Sequence, residues 1–102
     1  MLKNFGTYQL AVTLYRQAAA LKLPAHLRDQ ILRAAASTAL NTAEGGGRIS
    51  PKDQARFFDI AFASAKEVQA VLDLAVDSNA AIIGTADALA AHLFRLRQRR
   101  RG

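Results

Sequence analysis

The chain lacks cysteine and tryptophan altogether, and it has only two prolines among 102 residues. Without cysteine there is no disulfide scaffold, no cysteine-based zinc site and no cysteine nucleophile, and the composition fits a reducing compartment. No uninterrupted apolar run exceeds four residues, whereas a membrane span needs roughly 18. The N-terminus has no apolar segment typical of a signal peptide, so we expect a soluble, cytoplasmic protein with no membrane partner.

Residues that favour strands are also scarce. The chain has five isoleucines and four valines, whereas alanine occupies 22 positions. Abundant alanine and leucine favour helix over strand, which predicts an all-α protein. A chain of this length forms one domain. Because only 30 residues carry a sizeable apolar side chain, we expect a thin core with closely packed helices.

Four segments have the apolar spacing of amphipathic helices. The predicted helices cover residues 5–21, 24–43, 51–78 and a fourth segment after residue 84. The glycines at 45–47 predict the end of the second helix, because glycine adopts the left-handed conformation of a helix C-terminus at little cost. Short breaks between four helices indicate an antiparallel up-down-up-down four-helix bundle.

Capping residues predict where the third and fourth helices begin. Ser50 is a good N-cap, Pro51 suits the first helical position, and Asp53 lies where an acid favours the helix dipole. Thr85 is expected to cap the fourth helix, with Asp87 in its first turn.

Positive charge is concentrated at the C-terminus. The formal net charge is +6, and residues 95–101 hold five arginines and no acid. We therefore divide the chain into a bundle domain, residues 1–96, and a basic tail, residues 97–102. Arginine binds phosphate through two parallel hydrogen bonds, which predicts contact with RNA or DNA, but a merely solvated basic end is an equally good interpretation. The candidate contacts are Arg95, Arg97, Arg99, Arg100 and Arg101, with Arg33 and Arg48 as secondary candidates.

The glycine-rich segment after the second predicted helix does not match a phosphate-binding P-loop, which needs Gly-Lys-Ser/Thr between a strand and a helix. Here Asn41 and Glu44 precede the glycines and Arg48 follows them. We expect Asn41 and Glu44 to hydrogen-bond to the turn, to the start of the third helix or to Arg48. A Glu–Arg pair across a glycine turn would fix the angle between two helices.

No residue set indicates catalysis or metal binding. His26 and His92 have no second ligand at helical spacing, and Ser37 and Ser64 have no nearby base. Glu67 is either solvated or bonded to another helix. We therefore predict no enzymatic activity, no metal and no cofactor.

Three stretches carry a family resemblance. Gln30-Ile31-Leu32-Arg33-Ala34-Ala35-Ala36-Ser37 is followed by Asn41-Thr42-Ala43-Glu44-Gly45-Gly46-Gly47-Arg48, and later by residues 57–67, Phe57 to Glu67. Together they closely resemble the 23S ribosomal RNA intervening-sequence proteins. Thr42 stands where the family usually has Ile, and Ala63 where Gly is common. The residues that match the family motif are Asn41, Glu44, Gly45, Gly47, Arg48, Ser64 and Glu67.

The resemblance implies an antiparallel four-helix bundle that assembles into a ring of five subunits. Relatives include the accessory variability protein of diversity-generating retroelements, which is similar to a basic pentamer that binds nucleic acid and a reverse transcriptase. The arginine-rich end is not part of the shared pattern. The leading hypothesis is a non-enzymatic, oligomeric RNA- or DNA-binding protein without sequence specificity, and the alternative is a protein-binding scaffold with an incidental basic tail.

Overall fold

A computed structural model describes residues 5–75 and 79–101, the side chain of Arg101 excepted. This part of the chain contains four helices and no strand: α1 Gly6–Ala20, α2 Ala25–Gly47, α3 Pro51–Leu74 and α4 Ala80–Arg101. The prediction of an all-α four-helix bundle is confirmed. Each helix packs against two neighbours, α1 against α2 and α4, and α3 against α2 and α4. Among the described residues, no helix combines the length and apolarity needed to cross a membrane.

The core is made largely of alanine with a few large side chains, as the composition predicts. Nine alanines are buried, and each helix contributes two or three of them. Small side chains at a helix contact allow the two backbones to approach closely. Phe58 fills the largest share of the core, and the other large, fully buried apolar side chains are Leu14, Ile31, Val68, Ile82, Leu89 and Leu93.

The predicted end of α2 was wrong. The helix continues through Gly47, none of the described glycines has a positive φ, and the chain turns at Arg48 with φ −79° and ψ 151°. A Cβ atom at Gly45 would lie 2.6 Å from Cε1 of Phe58, and one at Gly46 would lie 2.8 Å from Cε2 of Phe5. The glycines are therefore places where aromatic rings approach the helix backbone, and they do not act as a left-handed terminator.

The two predicted helix starts have opposite outcomes. Ser50 caps α3 as expected, because its Oγ accepts a hydrogen bond of 3.1 Å from the Asp53 N–H, and Pro51 begins the helix. Thr85 does not cap α4. Instead, Asn79 Oδ1 accepts from the Ile82 N–H at 2.9 Å, and Thr85 donates its hydroxyl to the Ala81 carbonyl inside the helix.

The asparagine starts α4 six residues earlier than predicted, which also moves Asp87 out of the first turn. α3 ends at Leu74, before its predicted end at Ser78. Residues 76–78 lie outside the described part.

Candidate nucleic-acid interface

A polar network lies between α2 and α3 and is formed by Ser37, Asn41 and Ser64. Asn41 Nδ2 donates to the Ser37 carbonyl at 2.9 Å and to Ser37 Oγ at 3.2 Å. Ser37 Oγ in turn lies 2.8 Å from Ser64 Oγ on α3. Asn41 thus bonds within its own helix, and Ser37 carries the connection across to α3. This network of two hydroxyls and one amide connects the two helices.

A second bridge joins the same helices further along. Gln30 Nε2 donates to a carboxylate oxygen of Glu67 at 2.8 Å, so Glu67 does reach another helix. Arg33 donates to Gln30 Oε1 at 3.4 Å and is exposed. Arg33 lies 12 residues before Gly45 on α2, about 18 Å along the helix axis at 1.5 Å per residue. The structure therefore does not bring Arg33 to the C-terminal arginines.

The Glu44–Arg48 pair forms, but it does not cross a turn. Its atoms are 2.8 Å apart at i and i+4, at the C-terminal end of α2. The Arg48 guanidinium also lies 4.8 Å from the ring centre of Phe57, and Arg56 lies 4.9 Å from the same ring. The pair therefore holds Arg48 on its own helix end and against α3, and at this end of the two helices the Phe58 ring of α3 packs on Gly45 of α2.

Arg97 packs on the bundle and is not part of a free tail. Its Nη1 lies 3.4 Å from Asp59 Oδ1, and its side chain is only 23% exposed. The guanidinium also lies 4.2 Å from the ring centre of Phe62 and 5.2 Å from that of Phe94. Its charge is thus already paired within the fold, and α4 runs without a break across the proposed boundary between bundle and tail.

Arg95 and Arg99 face the opposite direction, towards α1. Together with three other residues they line a pocket of about 200 Å³, which we call the α1–α4 pocket; its lining is Thr7, His92, Arg95, Leu96 and Arg99. Both arginines are exposed. Among the described residues no hydrogen bond or ion pair engages either guanidinium.

Arg100 lies at the end of the bundle, between two cavities. One is apolar, has a volume of about 400 Å³ and is lined mainly by Phe5, Phe58, Leu96 and the glycines that end α2. The other is lined by Pro51, Lys52, Asp53, Ala55, Arg56, Asp59 and Arg100. Arg100 therefore lies near two cations of α3, Lys52 and Arg56, that are far from it in the sequence.

Sequence reasoning did not assign Lys52 and Arg56 to the site, nor the three residues that complete the α1–α4 pocket, Thr7, His92 and Leu96. No local signal marks Thr7, because only the packing of α1 on α4 brings it to His92, 85 residues away. Lys52 and Arg56 are one turn apart on α3, a spacing that the sequence does display. Residues 44–59 hold three bases and three acids, so the positive excess comes from α4.

The remaining predicted features concern metals and known relatives. No cluster of three or more potential metal ligands occurs within residues 5–75 and 79–101. A search of curated proteins finds no match. A family model for the 23S rRNA-intervening sequence protein matches residues 6–99, which covers all four helices. The chain therefore belongs to the 23S rRNA-intervening sequence protein family.

Proposed function

We propose that this protein is a non-enzymatic helical bundle that binds RNA or DNA through the C-terminal part of α4, with contact to phosphates and no reading of bases. The observation that carries the proposal is the lack of any acidic partner for Arg95 and Arg99 among the described residues. Uncompensated guanidiniums attract an anion more strongly than paired ones, and phosphate contacts confer affinity without sequence specificity. A cytoplasmic location, compatible with the absence of cysteine, is part of the proposal.

The arginines differ in their expected roles. Arg95, Arg99 and Arg100 contact phosphates directly, while Arg97 positions the end of α4 through Asp59 and the two rings. Arg48 is a secondary contact, because Glu44 already neutralises it. Arg33 is a weaker candidate on a separate part of the surface, and Arg101 is assigned from its place in the sequence alone.

We also propose an antiparallel arrangement of the helices and assembly into a ring of five. Along α2 and α3, Gln30 pairs with Glu67, Ser37 with Ser64, and Gly45 with Phe58, which supports opposite helix directions. Large apolar side chains left exposed on several helices support a further contact surface; they are Leu40, Ile60, Leu74 and Ile83. A ring would repeat each arginine cluster, so that weak phosphate contacts reinforce one another.

The test of nucleic-acid binding compares charge-matched variants. Arg95→Gln, Arg99→Gln and Arg100→Gln are combined, and the control combines Arg16→Gln, Lys22→Gln and Lys66→Gln. The affinity for mixed-sequence RNA is measured by fluorescence anisotropy at rising salt. We expect the wild type and control to share a steep salt dependence, and the arginine variant to bind more weakly with a shallower slope. Equal affinity and slope for all three proteins would refute the assignment.

The alternative function is a scaffold that binds another protein. Ile49, in the turn between α2 and α3, is 98% exposed, and an isoleucine in that position is a suitable anchor for a partner. The scaffold is favoured if no nucleic acid binds at physiological salt and a specific protein co-purifies with the wild type but not with Ile49→Ser.

Light scattering tests the ring of five subunits, and a monomer at micromolar concentration would rule it out.

A further inference from the structure

The α1–α4 pocket has the donor set of a phosphate site. It lies where the first turn of α1 meets the last turns of α4, and none of its five lining residues is acidic. Apart from the imidazole, it contains no aromatic group on which a base would stack. Its chemistry therefore suits a small anion better than a nucleobase.

Two positive charges meet in this pocket without a counterion from the protein. Arg95 and Arg99 are separated by four residues on one helix, so their side chains lie on the same face. Like charges at this spacing destabilise a helix slightly. An anion held between them would remove that repulsion and accept charge-assisted hydrogen bonds from both forks. Arg97, only two residues from each, differs because Asp59 already supplies its anion.

The Thr7 hydroxyl adds a neutral hydrogen-bond donor to the two arginines of the pocket. Thr7 is only 6% exposed, and its Oγ1 lies 3.4 Å from Nδ1 of His92. When the imidazole hydrogen is on Nδ1, the ring donates to Thr7 Oγ1, and the threonine hydrogen is free for an acceptor in the pocket. His92 thus acts through Thr7 as a positioning residue.

We propose that the α1–α4 pocket binds one phosphate group of an RNA or DNA backbone, shared between Arg95 and Arg99 and hydrogen-bonded to the Thr7 hydroxyl. This inference rests on the proposed function and deepens it, because it assigns two of the arginines to a single phosphate. In the opposing arrangement, Arg95 and Arg99 each contact a separate phosphate. The salt dependence of binding distinguishes the two arrangements.

The experiment uses the full chain and three variants. Thr7→Val removes the hydroxyl but keeps the branched shape of the buried side chain. Arg95→Gln with Arg99→Gln removes both charges, and Arg16→Gln with Lys22→Gln is the control that removes two charges elsewhere. Circular dichroism and the midpoint of thermal unfolding establish that each variant is folded. The two arginine substitutions change exposed side chains, so this arm does not depend on how well Thr7→Val folds.

The first readout is the affinity for a mixed-sequence single-stranded RNA at several salt concentrations. For single strands, the slope of log K against log salt changes by about 0.7 for each phosphate neutralised. Loss of one shared phosphate reduces the slope by about 0.7 in the double arginine variant, whereas loss of two separate phosphates would reduce it by about 1.4 and overturn the proposal. Thr7→Val is expected to weaken binding about fivefold, as the loss of one hydrogen bond of about 1 kcal/mol implies.

The second readout is the NMR signals of the His92 ring and of the arginine Nε–H groups during titration with inorganic phosphate. Shifts in the wild type that are lost in the double arginine variant support the site. If RNA binds the wild type and all variants equally, the pocket assignment is wrong; RNA binding itself stands, but Arg95 and Arg99 are not its contacts. If phosphate shifts these signals but RNA does not bind, the proposed function fails and the anion site stands. If neither ligand binds, both are wrong.

Discussion

The contact between α2 and α3 and the C-terminal part of α4 use polar residues in opposite ways. Between α2 and α3 the polar groups satisfy one another, since Ser37 bonds Ser64 and Gln30 bonds Glu67; at the end of α2, Arg48 pairs with Glu44. At the end of α4, Arg95 and Arg99 have no partner of this kind among the described residues. The first region holds the fold together, and the second presents charge to solvent.

This difference shows that an arginine's place in the sequence does not predict its role. Arg97 lies in the middle of the arginine-rich segment but packs on two aromatic rings and an acid, like a residue of the bundle. Arg95 and Arg99, two residues away on either side, face α1. Because successive residues on a helix are about 100° apart, one short segment supplies both kinds of arginine. Substitutions in the two regions should therefore separate stability from binding.

The largest expected effect is on the packed region. Phe58 is 1% exposed and touches the backbone of α2 at Gly45. Phe58→Ala is expected to lower the free energy of unfolding by about 3–5 kcal/mol, because it removes a buried ring and leaves a cavity. Urea denaturation followed by circular dichroism measures this loss. The RNA affinity of the protein that remains folded should be unchanged, and a lowered affinity would contradict the separation.

A pair of glycine substitutions gives a smaller and more specific effect. A Cβ at Gly45 would meet the Phe58 ring at 2.6 Å, whereas a Cβ at Gly47 meets nothing within 4 Å. Overpacking costs about 1–3 kcal/mol, and alanine regains up to about 1 kcal/mol of helix propensity. Gly45→Ala should therefore destabilise by up to about 2 kcal/mol, and Gly47→Ala should be neutral or slightly stabilising. Similar unfolding midpoints for the two variants would show that the ring, not the backbone, yields.

The smallest effect distinguishes two arginines within α4. Arg97→Met keeps much of the side-chain length but loses the contact with Asp59 and both rings, and we expect a loss of about 0.5–1 kcal/mol. Arg99→Met changes an exposed residue and should alter stability by less than about 0.5 kcal/mol. RNA binding should respond in the reverse order, with the larger loss for Arg99→Met. Equal effects in both assays would remove the distinction between a positioning and a contacting arginine.

Local signals predicted much of the fold. The Ser50-Pro51 start of α3 needs only residues close in sequence, because a serine oxygen reaches the N–H three positions later. The start of α4 was misplaced since Asn79 and Thr85 are both acceptable caps, and the sequence alone does not rank them. The glycine stretch was misinterpreted for a different reason: glycine permits either a left-handed turn or the close approach of a ring, and the choice depends on α3.

The candidate site was predicted only in part. The arginine cluster was evident from the sequence, as was the near neutrality of the remainder. Three features were not evident from the sequence, because each joins residues from different helices. They are the pairing of Arg97 with Asp59, the position of Arg100 beside Lys52 and Arg56, and the α1–α4 pocket.

The sequence by itself determined the helical class, the family motif and the amount and place of the positive charge, since these depend on composition and on periodicity within a single helix. Only the tertiary structure decided which arginines are neutralised and which are free. That outcome depends on where acids and rings of other helices lie once the apolar faces have packed, and helix periodicity does not specify this.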